Sequence, residues 1–227
     1  MSKEPISIIT TSDGSHSLYN SELKETYHST HGALTESLYV FVKEGLELLV
    51  AKGTKEINIL EVGFGTGLNA LLVWDFALKH PELKIHFETL EPFPLTKELY
   101  EQLNYLDAFS TEVSPDQFQQ MHSCDWEFEH QLAGNFSFVK HQKELQRFQS
   151  ERQFNLVFYD AFAPSKQSEM WDIATLTCTY NSMQGGGVLV TYCAQGQFKR
   201  NLAELGMEVE TLKGPPGKKE MVRATKR

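Results

Sequence analysis

Short apolar runs alternate along the chain with longer stretches in which apolar residues recur at helical spacing. The short runs are rich in β-branched and aromatic residues, which predicts strands. The predicted strands are 57–62, 84–90, 136–140, 154–159, 187–193, 207–212 and 220–225. Apolar residues three or four apart predict a helix from Glu36 to a stop at Gly53, and helices at 68–78, 95–103 and 202–205. This alternation indicates an α/β fold with a mostly parallel sheet and helices on both faces.

The stretch from 10 to 35 departs from this pattern. It is rich in Ser, Thr, His, Asn and Tyr and has no apolar periodicity, so we predict an irregular N-terminal segment. No internal repeat, low-complexity tract or Pro/Ser-rich linker divides the chain. We therefore expect one domain over 1–227, in which residues 1–53 cap a site carried by a sheet core at 54–227.

Length and composition agree with one globular domain. The chain has 227 residues, of which 41% are hydrophobic and 22% charged, and this suffices for a substantial core. Its three cysteines are far apart, which favours a reducing compartment and argues against a cysteine zinc site. The first residues have no signal-peptide pattern, and no apolar run is long enough to span a membrane. We expect a cytoplasmic protein with no membrane partner.

Charge is unevenly distributed. The formal net charge is −9, which counts against indiscriminate binding to nucleic acid. Residues 196–227 nevertheless hold eight Lys or Arg and four Glu, so this tail is +4 and the preceding residues are −13. Such a tail is either a solvated terminus or a contact for phosphates, and composition alone leaves both interpretations open.

A glycine-rich turn, VGFGTGLN, follows the strand predicted at 57–62. Gly63, Gly65 and Gly67 allow the backbone to approach a ligand closely, because glycine has no Cβ atom. The dinucleotide pattern GxGxxG would need glycine where Leu68 stands, which disfavours a pyrophosphate cofactor.

Two carboxylates flank this turn. Glu61 precedes it and suits an amino group, while Glu91 ends the next strand and suits the two hydroxyls of a ribose. Together with the turn, they favour S-adenosylmethionine (AdoMet) as the ligand. The candidate cofactor-binding residues of this region are Glu61, Gly63, Gly65, Thr66, Gly67, Asn69 and Glu91.

A second candidate stretch, YDAFAPSKQSEMW at 159–171, begins where the strand at 154–159 ends. Asp160 is an isolated carboxylate after an apolar run, which is unfavourable unless a partner or a ligand uses it. Its structural alternatives are a helix N-cap or a buried ion pair. The candidate substrate contacts are Phe162, Pro164, Lys166 and Trp171, and for Trp171 packing is the favoured alternative.

Several of these motifs resemble a known family. The segments ILEVGFGTGLNALL, DAFAPSKQSEMW and GGVLVTYCAQGQFKRNLAELGMEVETLKGPPGKKEM are similar to the methyltransferase domain of the tRNA 5-methylaminomethyl-2-thiouridine biosynthesis (MnmC) family. YHSTHGALTESLYVF is similar to the opening segment of that domain. The resemblance implies a class I AdoMet-dependent methyltransferase fold, Rossmann-like, with seven strands of which the last is antiparallel.

The resemblance also implies an activity, which is N-methylation of the 5-aminomethyl group on the wobble uridine of tRNA. The implied partner is therefore a tRNA anticodon stem-loop. Family members are often fused to a flavin-dependent oxidase domain that makes the aminomethyl substrate. This chain has no second glycine fingerprint, so we expect no flavin and a separate enzyme that supplies this group. Some relatives carry an acid for adenine after the third strand; this chain reads Lys140-His141-Gln142, and Gln142 is the expected contact.

In this interpretation Asp160 is the catalytic residue. A carboxylate that accepts an N–H bond from the amine directs the nitrogen lone pair at the methyl group, and it either takes the proton or only orients the amine. The expected phosphate contacts are Lys199, Arg200, Lys218 and Lys219. No cluster of His, Asp or Glu has metal-ligand spacing, so we expect no metal.

Other interpretations of the same sequence are a small-molecule N-methyltransferase or aminopropyltransferase, a non-catalytic AdoMet-binding module, and a nicotinamide oxidoreductase. Overall acidity favours the first, whereas the basic tail opposes it. Asp160 and the glycine turn oppose the second, and Leu68 opposes the third. Residues 27–31, Tyr-His-Ser-Thr-His, form either a lid over AdoMet or a structural wrap.

Overall fold

The computed structural model of the protein describes residues 5–227, and the first structure in it is a small antiparallel sheet. Its strands are β1 (Ile6–Thr10), β2 (His16–Asn20) and β3 (Glu25–Thr26). The prediction of an irregular segment at 10–35 is therefore wrong for this part. Its polar residues build the sheet turns: Asp13 accepts hydrogen bonds from the Thr11 hydroxyl at 2.8 Å and the Ser15 amide at 3.1 Å. Apolar periodicity is absent because these turns are held by side-chain hydrogen bonds.

A continuous helical run at 33–51 follows. It consists of α1 (Ala33–Ser37), a π-helical stretch (Leu38–Glu47) and α2 (Leu48–Ala51). This confirms the predicted helix, although it begins three residues before Glu36. Gly45 brings the run close to the central sheet, because a Cβ atom there would lie 3.0 Å from the Val190 side chain and 3.3 Å from that of Leu156.

The central sheet has eight strands in the order β10-β11-β9-β8-β4-β5-β7-β6. Their bounds are β4 (Glu56–Val62), β5 (Lys84–Leu90), β6 (Glu129–Ala133), β7 (Phe136–His141), β8 (Phe154–Tyr159), β9 (Met183–Thr191), β10 (Met207–Lys213) and β11 (Glu220–Lys226). All pairings from β9 through β8, β4 and β5 to β7 are parallel. The last strand, β11, is antiparallel to both neighbours, as expected.

The expected number of seven strands is wrong by one. The additional strand is β6, which pairs antiparallel with β7 at the sheet edge. None of its residues is buried, and its sequence, EHQLA, has no apolar run. An edge strand is held by its backbone ladder on one side only, so a search for apolar runs misses it.

Helices cover both faces of this sheet. Their bounds are α3 (Leu68–Lys79), α4 (Lys97–Tyr100), α5 (Tyr105–Ala108), α6 (Pro115–Ser123), α7 (Ile173–Ser182) and α8 (Gly196–Glu204), with single 3₁₀ turns at Leu145–Arg147 and Ser168–Trp171. Nine of the twelve residues of α3 are buried, which explains its apolar composition all round. The predicted helices at 95–103 and 202–205 correspond to the shorter α4 and the longer α8.

Aromatic packing fills the core on both sides of the sheet. Trp74 of α3 is fully buried and stacks on Phe136 of β7, with ring centroids 6.0 Å apart. On the other face Trp171 packs edge-to-face against Tyr159 and Phe198, at 5.2 and 5.0 Å. Each buried side chain of this size contributes about 1.5–3 kcal/mol, so the core fixes the strands firmly.

Strand register decides what meets at the carboxyl edge of the sheet. Val62, the last residue of β4, pairs with Leu90 of β5 and with Tyr159 of β8. The residues that follow these three positions are Gly63, Glu91 and Asp160, which therefore begin their loops side by side. Among residues 5–227, no helix is long and apolar enough to cross a membrane.

Candidate active site

The glycine turn between β4 and α3 adopts backbone conformations that favour glycine. Gly63, Gly65 and Gly67 have φ angles of 100°, 50° and 75°. A Cβ atom on Gly63 would lie 2.7 Å from the carbonyl oxygen of Asp160. The turn and the loop after β8 are thus in backbone contact, and a larger residue at position 63 would force them apart.

Glu91 holds this turn from the neighbouring strand. One of its carboxylate oxygens accepts a hydrogen bond from the Gly65 amide, and the other accepts one from the Phe93 amide, both at 2.9 Å. Burial raises the pKa of Glu91. An ionised carboxylate offers about four acceptor positions, so two remain for the hydroxyls of a ribose.

Asp160 lies at the end of β8 in a largely desolvated position. Its Oδ2 accepts a hydrogen bond from the Asn69 side-chain amide at 2.9 Å. Burial raises the pKa of Asp160 from 3.8 to about 7, and the charge of Glu36 acts in the same direction. The Asn69 hydrogen bond and the Lys218 ammonium act in the opposite direction. Asp160 is therefore a carboxyl group that exchanges its proton near neutral pH.

These groups line one large cavity at the carboxyl edge of the sheet, with a volume of about 990 Å³. The N-terminal segment forms one of its walls, because residues 25–31 all line it. The Tyr27 ring lies 5.0 Å from that of Phe162, edge to face, and a Cβ atom on Gly65 would lie 3.1 Å from it. The wall therefore contacts both the glycine turn and the loop after β8.

Nine residues singled out in the sequence line this cavity. They are Gly63, Gly65, Thr66, Asn69, Glu91, Asp160, Phe162, Lys166 and Lys218. Eight of the nine lie in the loops or the helix start that follow β4, β5 and β8, since the carboxyl ends of parallel strands meet there, and Lys218 comes from the hairpin between β10 and β11.

Three candidate cofactor residues are not among the cavity-lining residues. Glu61 is fully buried beneath the turn, where it accepts a hydrogen bond from the Thr89 hydroxyl at 2.6 Å. Burial raises the pKa of Glu61 well above its usual value. Gly67 faces the His122 ring instead, which a Cβ atom would approach to 2.8 Å. Gln142, the expected adenine contact, donates its backbone amide to Glu127 at 2.9 Å, and it is the following residues 143–146 that line the cavity.

Two candidate substrate residues of the loop after β8 are not among the cavity-lining residues. Trp171 is 4% exposed, and its indole N–H donates to the Phe162 carbonyl at 2.8 Å. Packing, rather than a base platform, accounts for it. Pro164 lies with Trp171 at a separate shallow groove. The indole bond positions Phe162 at the cavity, so Trp171 supports the site without facing it.

The basic residues of the C-terminal tail separate into two sets. Lys218 lines the cavity and pairs with Glu36, which sets it apart from the other three expected phosphate contacts. Lys199, Arg200 and Lys219 lie outside the cavity. Arg200 and Lys219 are exposed, and Lys199 lies 3.5 Å from a carboxylate oxygen of Glu220.

Glu36 and Tyr192 line the cavity but are not predicted as site residues, and Tyr27 is named in the sequence only as part of the segment 27–31, a lid or a structural wrap. Glu36 stands at the start of a helix, where an acid is ordinary because the helix dipole favours it. The sequence signal that was available is the segment YHSTHGALTESLYVF, which contains both Tyr27 and Glu36. Within residues 5–227, no group of three or more His, Cys, Asp or Glu is arranged to hold a metal ion.

The glycine turn and the free acceptor positions of Glu91 fit AdoMet. A family model described as S-adenosyl-L-methionine-dependent methyltransferase matches residues 124–227. Sheet order and this match to less than half of the chain agree with the class I AdoMet-dependent methyltransferase fold, which confirms the predicted fold class and cofactor.

Two curated relatives and one solved structure are similar to this chain. The chain is 28% and 29% identical to the tRNA 5-methylaminomethyl-2-thiouridine biosynthesis bifunctional protein MnmC of Idiomarina loihiensis and of Cupriavidus metallidurans, over 87% and 96% of its length. It spans about a third of the length of these relatives, at 35% and 33%. The structure of MnmC2 from Aquifex aeolicus superimposes with a TM-score of 0.81 at 25% identity, covering 100% of this chain and 72% of that one. The resemblance seen in the motifs is thereby confirmed.

Proposed function

We propose that the protein transfers a methyl group from AdoMet to the 5-aminomethyl group of a wobble uridine in tRNA. The observation that supports this most directly is a carboxyl group, Asp160, at the wall of a cavity large enough for a cofactor and a nucleoside. Similarity to proteins named for 5-methylaminomethyl-2-thiouridine biosynthesis supports the choice of substrate.

The turn at 63–67 and Glu91 are proposed to bind AdoMet, which supplies an electrophilic methyl group when bound. Glu91 keeps two acceptor positions for the ribose hydroxyls after bonding the Gly65 and Phe93 amides. Residues 143–146 border the cavity next to β7 and are proposed to replace Gln142 at the adenine. Glu61 is proposed to act from its fully buried position beneath the turn.

Asp160 is proposed to orient and deprotonate the amine. The amine lone pair forms the new N–C bond while the S–C bond breaks, and the nitrogen then carries a surplus proton. A carboxylate with a pKa near 7 accepts this proton at neutral pH, and the Asn69 amide fixes its orientation. Positioning of this kind contributes up to roughly 7–11 kcal/mol in model systems. Phe162 and Tyr27, whose rings contact each other at the cavity wall, are proposed to limit water near the reacting atoms.

The basic tail is proposed to contact tRNA phosphates through Arg200, Lys199 and Lys219, which lie outside the cavity. The helix α8 that carries two of them begins just beyond β9, at the same edge of the sheet. Since the whole chain has a net charge of −9, we expect modest, salt-sensitive affinity for the anticodon stem-loop. The cytoplasm is the proposed location, and a separate enzyme is proposed to supply the aminomethyl group.

Residues 1–53 and 54–227 are proposed to act as one domain, in which the first part walls the site. Residues 1–4 of this part lie outside the described residues. The remainder supports the proposal, because residues 25–31 and Glu36 line the cavity of the sheet core.

The decisive experiment incubates the purified protein with AdoMet and tRNA that carries 5-aminomethyluridine at the wobble position. Mass spectrometry of the nucleosides is expected to detect one added methyl group on that base. Matched tRNA with unmodified uridine is the control and is expected to stay unchanged. Methylation of a polyamine or another small amine, with none of the tRNA, would refute the proposed substrate.

A further inference from the structure

An ion pair between a partly exposed lysine and a buried glutamate lies in the cavity that Asp160 also lines. The Lys218 ammonium is 2.5 Å from Oε1 of Glu36, whose side chain is only 6% exposed. The second oxygen of Glu36 accepts a hydrogen bond from the Ser29 amide at 2.8 Å. A partly buried pair is weak support for stability, because loss of hydration offsets the attraction between the charges. Its position in the cavity points to a role in the site.

The Lys218 ammonium also lies over an aromatic face. It is 3.7 Å from the centroid of the Tyr192 ring, a distance at which the ring attracts a cation. Tyr192 is fixed in turn by its hydroxyl, which donates to the Ala161 carbonyl at 2.8 Å. Tyr192 therefore contacts both the paired ammonium of Lys218 and the backbone of Ala161, the residue that follows Asp160.

The turn that carries Lys218 is held tightly. Gly217 has a φ angle of 84°, and a Cβ atom there would lie 2.5 Å from the His31 ring. The turn is thus wedged against the N-terminal wall of the cavity. Glu36 comes from α1 and Lys218 from the loop between β10 and β11, so the pair joins the two ends of the described chain.

Glu36 and Lys218 act on Asp160 in opposite directions. Burial is the main cause of the raised pKa of Asp160, the charge of Glu36 raises that pKa further, and Lys218 lowers it. Other groups facing Asp160 are Glu61 from β4 and Tyr192, and burial raises the pKa of each well above its usual value. The two charges of the ion pair therefore have opposite effects on the pKa of Asp160.

We propose that Glu36 and Lys218 are positioning residues whose opposed charges set the proton affinity of Asp160 and of the amine that binds next to it. This inference rests on the proposed function for the amine, but its part concerning Asp160 stands without substrate. A fixed ammonium disfavours a second positive charge nearby, so Lys218 favours the free amine, which has the lone pair needed for attack. The negative charge of Glu36 offsets the effect of Lys218 on Asp160, so that Asp160 remains basic enough to take the proton from the amine.

The experiment follows the titration of Asp160 by carbon NMR of protein labelled at the aspartate carboxyl groups, with the signal assigned by its loss in Asp160→Asn. Glu36→Gln is expected to lower the midpoint by about one pH unit, and Lys218→Met to raise it by about as much. The double variant is expected to return to the wild-type midpoint. Lys218→Arg keeps the charge, and Lys219→Met changes the exposed neighbour, so both are expected to leave it unchanged.

Equal midpoints in all variants, or shifts of the same sign in both single variants, would overturn this inference. The former is expected if the pair only fastens the C-terminal turn to the N-terminal wall. If wild-type protein methylates no amine on tRNA, the proposed function fails while the NMR result still decides the electrostatic role. If it does methylate, the acidic limb of kcat/KM against pH is expected to move with the midpoints.

Discussion

Replacement of Asp160 by asparagine is expected to make the protein more stable and nearly inactive. Asparagine has the same shape and still accepts the Asn69 hydrogen bond through its carbonyl oxygen. It removes the charge that burial makes unfavourable. A stabilising substitution that abolishes activity is expected where a site is built at the expense of stability.

The magnitude follows from the pKa of Asp160. Its rise from 3.8 to about 7 on folding means that the folded protein holds the proton more tightly than the unfolded chain. Folded-state stability therefore falls as pH rises from about 4 to about 7, and the full penalty is roughly 4 kcal/mol above that range. Below pH 4 the group is protonated in both states and the penalty vanishes.

Urea unfolding of the ligand-free protein at pH 5 and pH 8 measures this effect. The gain in unfolding free energy from Asp160→Asn is expected to be about 3 kcal/mol larger at pH 8 than at pH 5. Methyl transfer is expected to fall by about 10²–10⁴-fold, as when a general base is lost. Asp107→Asn changes an exposed carboxylate away from the cavity and serves as the control. A gain independent of pH, or unchanged turnover, would refute the reasoning.

Two further predictions concern the glycine turn and the basic tail. Gly63→Ala places a Cβ atom 2.7 Å from the Asp160 carbonyl oxygen at a φ of 100°. It is expected to lower the free energy of unfolding in urea by about 2 kcal/mol and to abolish AdoMet binding in calorimetry. Gly134→Ala, where a Cβ atom meets nothing within 4 Å, is the control and is expected to keep both stability and AdoMet binding. Arg200→Glu is expected to weaken tRNA binding several-fold and to reduce the salt dependence of that binding. Lys84→Glu, at a side chain that is 79% exposed at the start of β5, is the control and is expected to change neither. Equal losses of tRNA affinity in both variants would contradict a localised contact.

Much of the sheet was predictable because its strands are buried on both faces. All six residues of β8 are buried, and the composition of a buried strand is a local signal. The segment β6 and the N-terminal sheet gave no such signal, since they are half exposed and held by backbone ladders and polar turns. Which strands these segments pair with depends on residues that are distant in the sequence, and a local sequence pattern does not contain that information.

The sequence by itself determined the fold class, the glycine turn and the strand-end acids Glu91 and Asp160, because parallel strands in register place their ends at one edge. Tertiary structure alone decided which side chains face the cavity. In the tertiary structure Trp171 faces the core, and Glu36 and Lys218, which are 182 positions apart in the sequence, are in contact in the cavity that Asp160 lines. Side-chain direction in a loop depends on the surface that packs against it, and for these loops that surface comes from distant parts of the chain.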